Sequence, residues 1–129
     1  MNLGLLLSVG LGGFVGAILR FSISDWVNKL SSSSFPFGTL SVNILGSLLM
    51  GFLFMYFSQI NLSAQQKLIF TTGLLGALTT FSTFSMDTVT LLQQELYIKA
   101  MTNVFLNVIL SVFATLIGIF IFYKIFPAK

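Results

Sequence analysis

The residues best suited to chemistry lie together in the third apolar stretch of the chain, between Gly73 and Asp87. This segment holds two glycines, five hydroxyl residues, two phenylalanines and one carboxylate. A bilayer tolerates unpaired backbone and polar groups poorly, so such a segment is stable only where it is buried in protein or lines a wet path. The leading interpretation is therefore a pathway for a small solute or ion.

We expect the helix of this span to be interrupted between Gly76 and Thr80, where small and hydroxyl residues replace the apolar run. An interruption exposes two helix ends inside the membrane. The carbonyl groups that end the first half attract a cation, and the amide groups that open the second half attract an anion.

Phe81 and Phe84 follow the interruption and, being three residues apart, share one helix face. The edge of a phenyl ring is electropositive, so edges turned inward would stabilise a small anion without a fixed charge. Ser82 and Thr83 supply hydroxyl donors beside them. Ordinary packing explains either ring taken alone, and the position of both after the interruption favours a functional role.

Polar residues also recur at every fourth position on two other spans. The members of these two stripes are Thr39, Asn43, Ser47 and Gly51 on the second span, and Asn103, Asn107, Ser111 and Thr115 on the fourth. This spacing puts each set on one helix face. Asn43 has two interpretations, a hydrogen bond between helices or a donor that faces an anion. The uncharged fourth-span stripe predicts a groove that can hydrogen-bond an ion without trapping it.

Two charged residues each have two interpretations. Asp87 is the only carboxylate deep in an apolar segment. It would serve a proton-coupled or cation mechanism, or pair with Arg20 or Lys99 near the mouth of the path. Arg20, which we place at the end of the first span, either extends toward the membrane surface or ties loops near a polar mouth.

The composition indicates an integral membrane protein. Only 7% of the 129 residues are charged, against about 25% in a soluble domain. The chain has no cysteine or histidine, which removes disulfides, thiol chemistry, Cys/His metal sites and histidine acid–base catalysis. No basic run points to nucleic acid. No nucleophile–base pair or acid dyad can be assembled, so we do not expect an enzyme.

The expected fold is all-α, with four transmembrane helices in a single domain over residues 1–129 and the third helix broken near its middle. Each apolar segment reaches the about 20 residues that a helix needs to cross a bilayer. We read the first segment as a retained helix and not a cleavable signal, because no basic residue precedes it. The segments are 3–19, 38–57, 65–94 and 100–126, and residues 61–63 form the cap region of the third.

The basic residues are balanced across the membrane. Four spans place Lys67, Lys124 and Lys129 on one side, and Arg20, Lys29 and Lys99 on the other. The Lys/Arg difference that sets orientation is therefore zero. This balance predicts insertion in both orientations and an antiparallel homodimer, although a bias that the count misses would give a single orientation.

Three blocks of the sequence resemble the signatures of the Fluc (CrcB) family of microbial fluoride channels. These blocks are residues 12–20 (GGFVGAILR), 37–46 (FGTLSVNILG) and 73–84 (GLLGALTTFSTF). The resemblance covers the first three spans, and the chain length and four-span layout agree with it. It implies a passive, fluoride-selective channel that exports fluoride from the cytoplasm across the inner membrane.

The resemblance also implies a site. In the family, two antiparallel subunits form two pores and share one structural sodium ion, which main-chain carbonyls here matching Gly76 and Thr79 would hold. The remaining positions that match the family's pathway are Phe81, Phe84, Asn43, Ser82, Thr83, Asn103, Asn107 and Ser111. Asparagine at the first two fourth-span positions departs from the Tyr and Ser of some members, and Asp87 stands where Glu is expected.

Two other functions fit part of the pattern. A small dual-topology multidrug exporter has the same length, span count and charge balance, but proton-coupled exchange of that kind needs a carboxylate early in the first span. The first acid here is Asp25, beyond Arg20. A membrane scaffold without transport activity would leave the aligned polar stripe without a use.

Overall fold

The computed structural model describes residues 2–127, and all regular structure in that range is helical. Four helical spans are long and apolar enough to cross a membrane. Their bounds are Leu3–Leu30, Phe37–Gln59, Ala64–Gln93 and Tyr97–Ile125. The predicted four-span, all-α organisation is confirmed.

Helix α1 (Leu3–Leu30) continues ten residues beyond Arg20, so the prediction that Arg20 ends the first span is wrong. No glycine or proline lies between Gly16 and Leu30 to stop the helix. The extension is supported by an i,i+4 ion pair, in which Lys29 Nζ lies 2.6 Å from Asp25 Oδ2.

The connection from α1 to α2 (Phe37–Gln59) is closed by an asparagine. Pro36, the N-cap residue of α2, makes no side-chain cap hydrogen bond. Instead, the Gly38 N–H donates to Asn28 Oδ1 of α1 at 2.8 Å. Asn28 therefore satisfies one of the amide groups that the start of a helix leaves without a partner.

The third span consists of several helical pieces. It begins with α3 (Ala64–Leu68), continues as a π-helix (Ile69–Leu75) and one α-helical turn, α4 (Gly76–Leu78), and resumes as α5 (Phe81–Gln93). The predicted cap is confirmed as a capping box, since Ser63 Oγ accepts from the Gln66 N–H and Gln66 Oε1 accepts from the Ser63 N–H. The π-helix is absent from the sequence-based expectation.

Glycines set how closely the spans pack. A Cβ added at Gly12 would lie 2.0 Å from the Ile69 carbonyl oxygen, and one at Gly16 would lie 2.1 Å from that of Leu74. Helix α1 therefore rests directly on the π-helix through two small residues, four apart, that allow the backbones to approach closely. Gly51 of α2 and Gly118 of the last helix, α6 (Tyr97–Ile125), pack in the same way against each other's helix.

The connection between the third and fourth spans is shorter than expected. Glu95 adopts a positive φ of 59°, and α6 begins at Tyr97, three residues before the predicted start of the fourth segment at residue 100. Lys99 Nζ donates to Ser34 Oγ at 2.6 Å and so ties the start of α6 to the α1–α2 connection.

Candidate functional site at the helix break

An open pocket of about 310 Å³ lies beside the interruption of the third span. It combines the break itself, the first turn of α5, the polar face of α2 and the polar face of α6. Its lining residues are Asn43, Ser47, Thr79, Thr80, Phe81, Phe84, Asn107, Val108, Ser111 and Val112. No charged side chain is among them, so the pocket is lined by hydroxyl, amide, aliphatic and phenyl groups without a fixed charge.

The interruption falls at Thr79 and Thr80, inside the predicted range, and both residues have extended backbone. In a continuous helix the Thr80 N–H would donate to the Gly76 carbonyl. It donates instead to Asn43 Oδ1 at 2.8 Å, and Asn43 Nδ2 donates back to the Thr80 carbonyl oxygen at 3.2 Å. The Asn43 amide thus satisfies both backbone groups of Thr80 at a depth where water would be scarce.

Asn43 also begins a chain of amide side chains that runs between helices. Its Nδ2 donates to Asn107 Oδ1 at 2.8 Å, and Asn107 Nδ2 donates to Asn103 Oδ1 at 2.9 Å and to the Asn103 carbonyl at 3.0 Å. Asn103 Nδ2 donates to Thr88 Oγ1 at 2.9 Å. Every N–H of the Asn43 and Asn107 amides therefore has an acceptor within the protein.

The two phenylalanines after the break sit in different surroundings. Their ring centroids are 5.2 Å apart, with the ring planes inclined by 55°. Phe84 is 8% exposed, whereas Phe81 is 78% exposed. Both line the pocket, so the sequence correctly placed them together, while only Phe84 is held by packing within this chain.

The hydroxyl residues divide into two groups. Thr80 caps α5, since its Oγ1 accepts from the Thr83 N–H and contacts the hydroxyls of Thr83 and Ser82. Ser82 and Thr83 are exposed and lie outside the pocket lining. Ser111 lines the pocket, and its Oγ is the one buried side-chain polar atom without a hydrogen-bond partner among residues 2–127.

The fourth-span stripe faces the expected side but does not form one continuous groove. Asn107 and Ser111 line the pocket, whereas Asn103 is fully buried behind Asn107. Thr115 donates to the Ser111 carbonyl at 3.1 Å and packs where Gly51 of α2 comes closest. Two of its four members therefore reach the pocket, and the other two support the packing around it.

Neither expected ion pair of Asp87 forms. Asp87 Oδ2 accepts a hydrogen bond from Thr39 Oγ1 at 2.6 Å, so the expectation of pairing with Arg20 or Lys99 is corrected. Within the described chain the only salt bridge is Lys29–Asp25. Arg20 instead lines a separate surface pocket along α1, about 330 Å³ in volume.

The candidate sodium donors belong to the break. Because the Thr80 N–H is taken by Asn43, the Gly76 carbonyl lacks the donor that a continuous helix would supply. Thr79 follows in extended conformation, and Gly76 is exposed. No cluster of three or more Asp, Glu, Cys or His residues occurs within residues 2–127. Main-chain carbonyls thus fit the kind of cation site expected here.

Sequence reasoning missed part of this site. The spacing places Ser47 on the α2 face without indicating a role, and Ser47 lines the pocket together with Val108 and Val112. Nothing in the sequence pattern singles out Thr88, the acceptor for Asn103. Thr88 lies one helical turn beyond Phe84, but its role can be recognised only when the helix that faces it is known.

Comparison with known proteins finds one matching family model and several similar relatives. A family model described as "CrcB-like protein, Camphor Resistance (CrcB)" matches residues 7–119. Several relatives carry the name "Fluoride-specific ion channel FluC". The one from a Sulfurovum species is 57% identical over 95% of this chain and 96% of its own length. The one from a Nitratiruptor species is 50% identical over 98% of both chains.

A third relative of that name, from Campylobacter jejuni, is 49% identical over 93% of this chain and 98% of its own. These names describe channels and not enzymes, in agreement with the expectation for this chain. With its four spans, this is a multi-pass membrane protein, of the inner membrane in bacteria. Since the family model matches most of the chain and the relatives are about half identical over nearly all of it, the protein belongs to the CrcB family.

Proposed function

We propose that this protein is a fluoride-selective channel that lets fluoride leave the cytoplasm passively. The observation that carries the proposal is the uncharged pocket at the helix break, lined by amide and hydroxyl residues and two phenylalanines, in a chain whose relatives are named fluoride-specific ion channels. An interrupted helix with polar residues inside a bilayer is costly unless it is buried in protein or lines a path for a solute.

The pocket suits a small, strongly hydrated anion. Such an ion enters a protein only where several donors replace its water, and it leaves only if no fixed positive charge holds it too tightly. Ser111 offers an unpaired hydroxyl, and Phe81 and Phe84 offer electropositive ring edges. The absence of Lys and Arg from the lining favours release.

The other expected pathway residues take different parts in this proposal. Asn43 and Asn107 form the wall of the path, and their amides hold the wall together with Asn103 behind them. Ser82 and Thr83 are exposed beside the break. They would meet the path where a second copy of the chain covers this face.

We infer that the working unit is an antiparallel homodimer. The balance of Lys and Arg gives no preferred orientation, and Lys129, one of the six, lies outside the described residues. Phe81, 78% exposed at the mouth of the pocket, is suited to contact a second subunit. A tag at the C-terminus should be accessible from both sides of the membrane, and accessibility from one side alone would contradict dual insertion.

A structural sodium ion fits the centre of such a dimer. One chain offers the carbonyls of Gly76 and Thr79, and a second copy would double that number. The ion would offset the carbonyl dipoles of both breaks and hold the breaks together. Replacing sodium with a bulky organic cation should weaken the dimer in detergent, and an unchanged dimer would argue against the site.

The multidrug exporter is not favoured. Its mechanism needs a carboxylate in the first span that a proton and a drug can share. Asp25 is the first acid of the chain, and it is paired with Lys29 with about half of its side chain exposed. No other acid lies on α1.

A growth experiment tests the proposed function in cells. Bacteria that lack fluoride export should grow in fluoride when they express this protein. Cells that express a Phe81→Ile, Phe84→Ile double variant to the same membrane level provide the control. Equal sensitivity with and without the wild-type protein would contradict the proposal.

A further inference from the structure

We propose that Thr88 is a positioning residue that orients the amide chain along the proposed path. This inference rests on the proposed function. Thr88 Oγ1 donates its proton to the Phe84 carbonyl, one turn back, at 2.8 Å. Its oxygen is then left to accept, and it accepts from Asn103 Nδ2 at 2.9 Å. Thr88 therefore fixes which end of the Asn103 amide faces it.

The orientation of Asn103 is passed on to the next amide. An amide side chain has nearly the same shape when turned by 180°, so its partners decide which way it points. Because Asn103 Nδ2 faces Thr88, its Oδ1 faces Asn107. Asn107 therefore donates to that oxygen through its Nδ2. Asn107 Oδ1 is thereby left to accept from Asn43.

The other end of the chain is fixed independently. The Thr80 backbone presents one N–H and one carbonyl to Asn43, which sets the orientation of that amide at the break. The direction imposed by Thr88 and the direction imposed by Thr80 agree. The three amides form a single directed chain between a hydroxyl on α5 and the helix interruption, with Asn103 fully buried in the middle.

This arrangement determines which hydrogen-bond donors are available to an ion in the pocket. Because both N–H groups of Asn107 point at Asn103, the side-chain donor left among the α6 residues that line the pocket is the Ser111 hydroxyl. Without the Thr88 oxygen, the buried Asn103 Nδ2 loses its acceptor and the amide turns to find another. Asn107 then loses one of its two acceptors, Asn103 Oδ1, and only the Asn103 carbonyl and Asn43 still hold its amide, which changes its orientation beside the pocket.

The chain contains a matched control for this idea. Thr102 on α6 also donates from Oγ1 to the carbonyl four residues back, Ile98, at 2.8 Å. Thr102 is exposed and accepts no hydrogen bond from an amide side chain within residues 2–127. Thr88→Val and Thr102→Val therefore remove the same local bond, and only the first removes the acceptor for Asn103.

The test measures fluoride and chloride efflux from liposomes that hold each variant, together with the side-chain amide NMR signals of Asn43 and Asn107 in detergent. Thr88→Val should slow fluoride efflux, or reduce the preference for fluoride over chloride, by at least about fivefold, the factor that corresponds to the free energy of one lost hydrogen bond. It should also shift the amide signals of both asparagines. Thr88→Ser should restore wild-type behaviour, and Thr102→Val should leave both readouts unchanged.

Equal behaviour of Thr88→Val and Thr102→Val would overturn the positioning role. If Thr88→Val does not assemble, the comparison moves to Thr88→Ser against Thr88→Ala, which differ by the hydroxyl alone, and equal behaviour of that pair overturns it as well. If the wild-type protein carries no fluoride, the proposed function fails separately. The amide signals then decide the role of Thr88 without any measurement of transport.

Discussion

Asn43 pairs with the backbone of Thr80 in both directions, accepting from its N–H at 2.8 Å and donating to its carbonyl oxygen at 3.2 Å. One side chain of α2 thus takes the place of the helical hydrogen bonds that the third span gives up at its break. The break is therefore a junction between two helices, and both residues of the pairing line the pocket beside it.

Asn43→Ala should both destabilise the protein and impair conduction. The substitution leaves two buried backbone groups at Thr80 without partners, a loss of roughly 1–3 kcal/mol for each group that finds no other. Unfolding in detergent and fluoride efflux from liposomes measure the two effects. Asn61→Ala, in the exposed α2–α3 connection, is the control. Unchanged stability of Asn43→Ala would show that the pairing contributes nothing.

Phe81→Ile should sharply reduce fluoride efflux with little change in the stability of the chain, because Phe81 is 78% exposed and little packing is lost. Phe84→Ile should reduce efflux and also lower stability, since that ring is buried. Phe105→Ile, an exposed phenylalanine on α6, should change neither. Normal efflux in both Phe81→Ile and Phe84→Ile would refute the role of the ring edges.

Ser111→Ala should slow efflux without any loss of stability. The Ser111 hydroxyl is buried without a partner, so its removal is neutral or slightly stabilising. If an ion accepts a hydrogen bond from this hydroxyl, Ser111→Ala lowers the rate of fluoride efflux and leaves stability unchanged. The control is Ser58→Ala, an exposed serine whose hydroxyl already donates to the Met55 carbonyl. If Ser111→Ala lost stability but conducted fluoride normally, the Ser111 hydroxyl would serve the fold and not the ion path.

Much of this arrangement was readable in the sequence. Hydropathy and length predicted the four spans, and the small and hydroxyl residues after Gly73 predicted the position of the break. The i, i+4 spacing put Asn43 and Asn107 on the correct faces. Residue spacing predicts which face of a helix a side chain lies on, but it does not predict which element packs against that face. The partners Thr80 for Asn43 and Thr39 for Asp87 therefore could not be foreseen.

Two features differ from the sequence-based expectation, one for a local reason and one because of packing between helices. The charge of Arg20 suggests the end of a span, but helix propensity outweighs it, and the helix continues since nothing after Arg20 breaks it. The π-helix over Ile69–Leu75 packs closely against α1 at Gly12 and Gly16, a contact between elements that no local pattern reports.

Gly12→Ala should destabilise the fold by about 1–3 kcal/mol, whereas Gly13→Ala should be tolerated. A Cβ at Gly12 would lie 2.0 Å from the Ile69 carbonyl oxygen, while one at Gly13 meets nothing within 4 Å. The two glycines are adjacent on the same helix, so helix propensity changes equally in both variants. Thermal unfolding in detergent measures the difference, and equal midpoints would mean that α1 does not press on the π-helix as described.

Fluoride and chloride efflux from liposomes, compared side by side with ion-selective electrodes, test the proposed selectivity most directly. Liposomes loaded with potassium fluoride or potassium chloride receive the purified wild-type protein and then a potassium ionophore, which removes the opposing voltage. We expect fast fluoride release and no chloride release above that of empty liposomes. Equal rates for the two anions, or no fluoride release at all, would contradict a fluoride-selective path at the helix break.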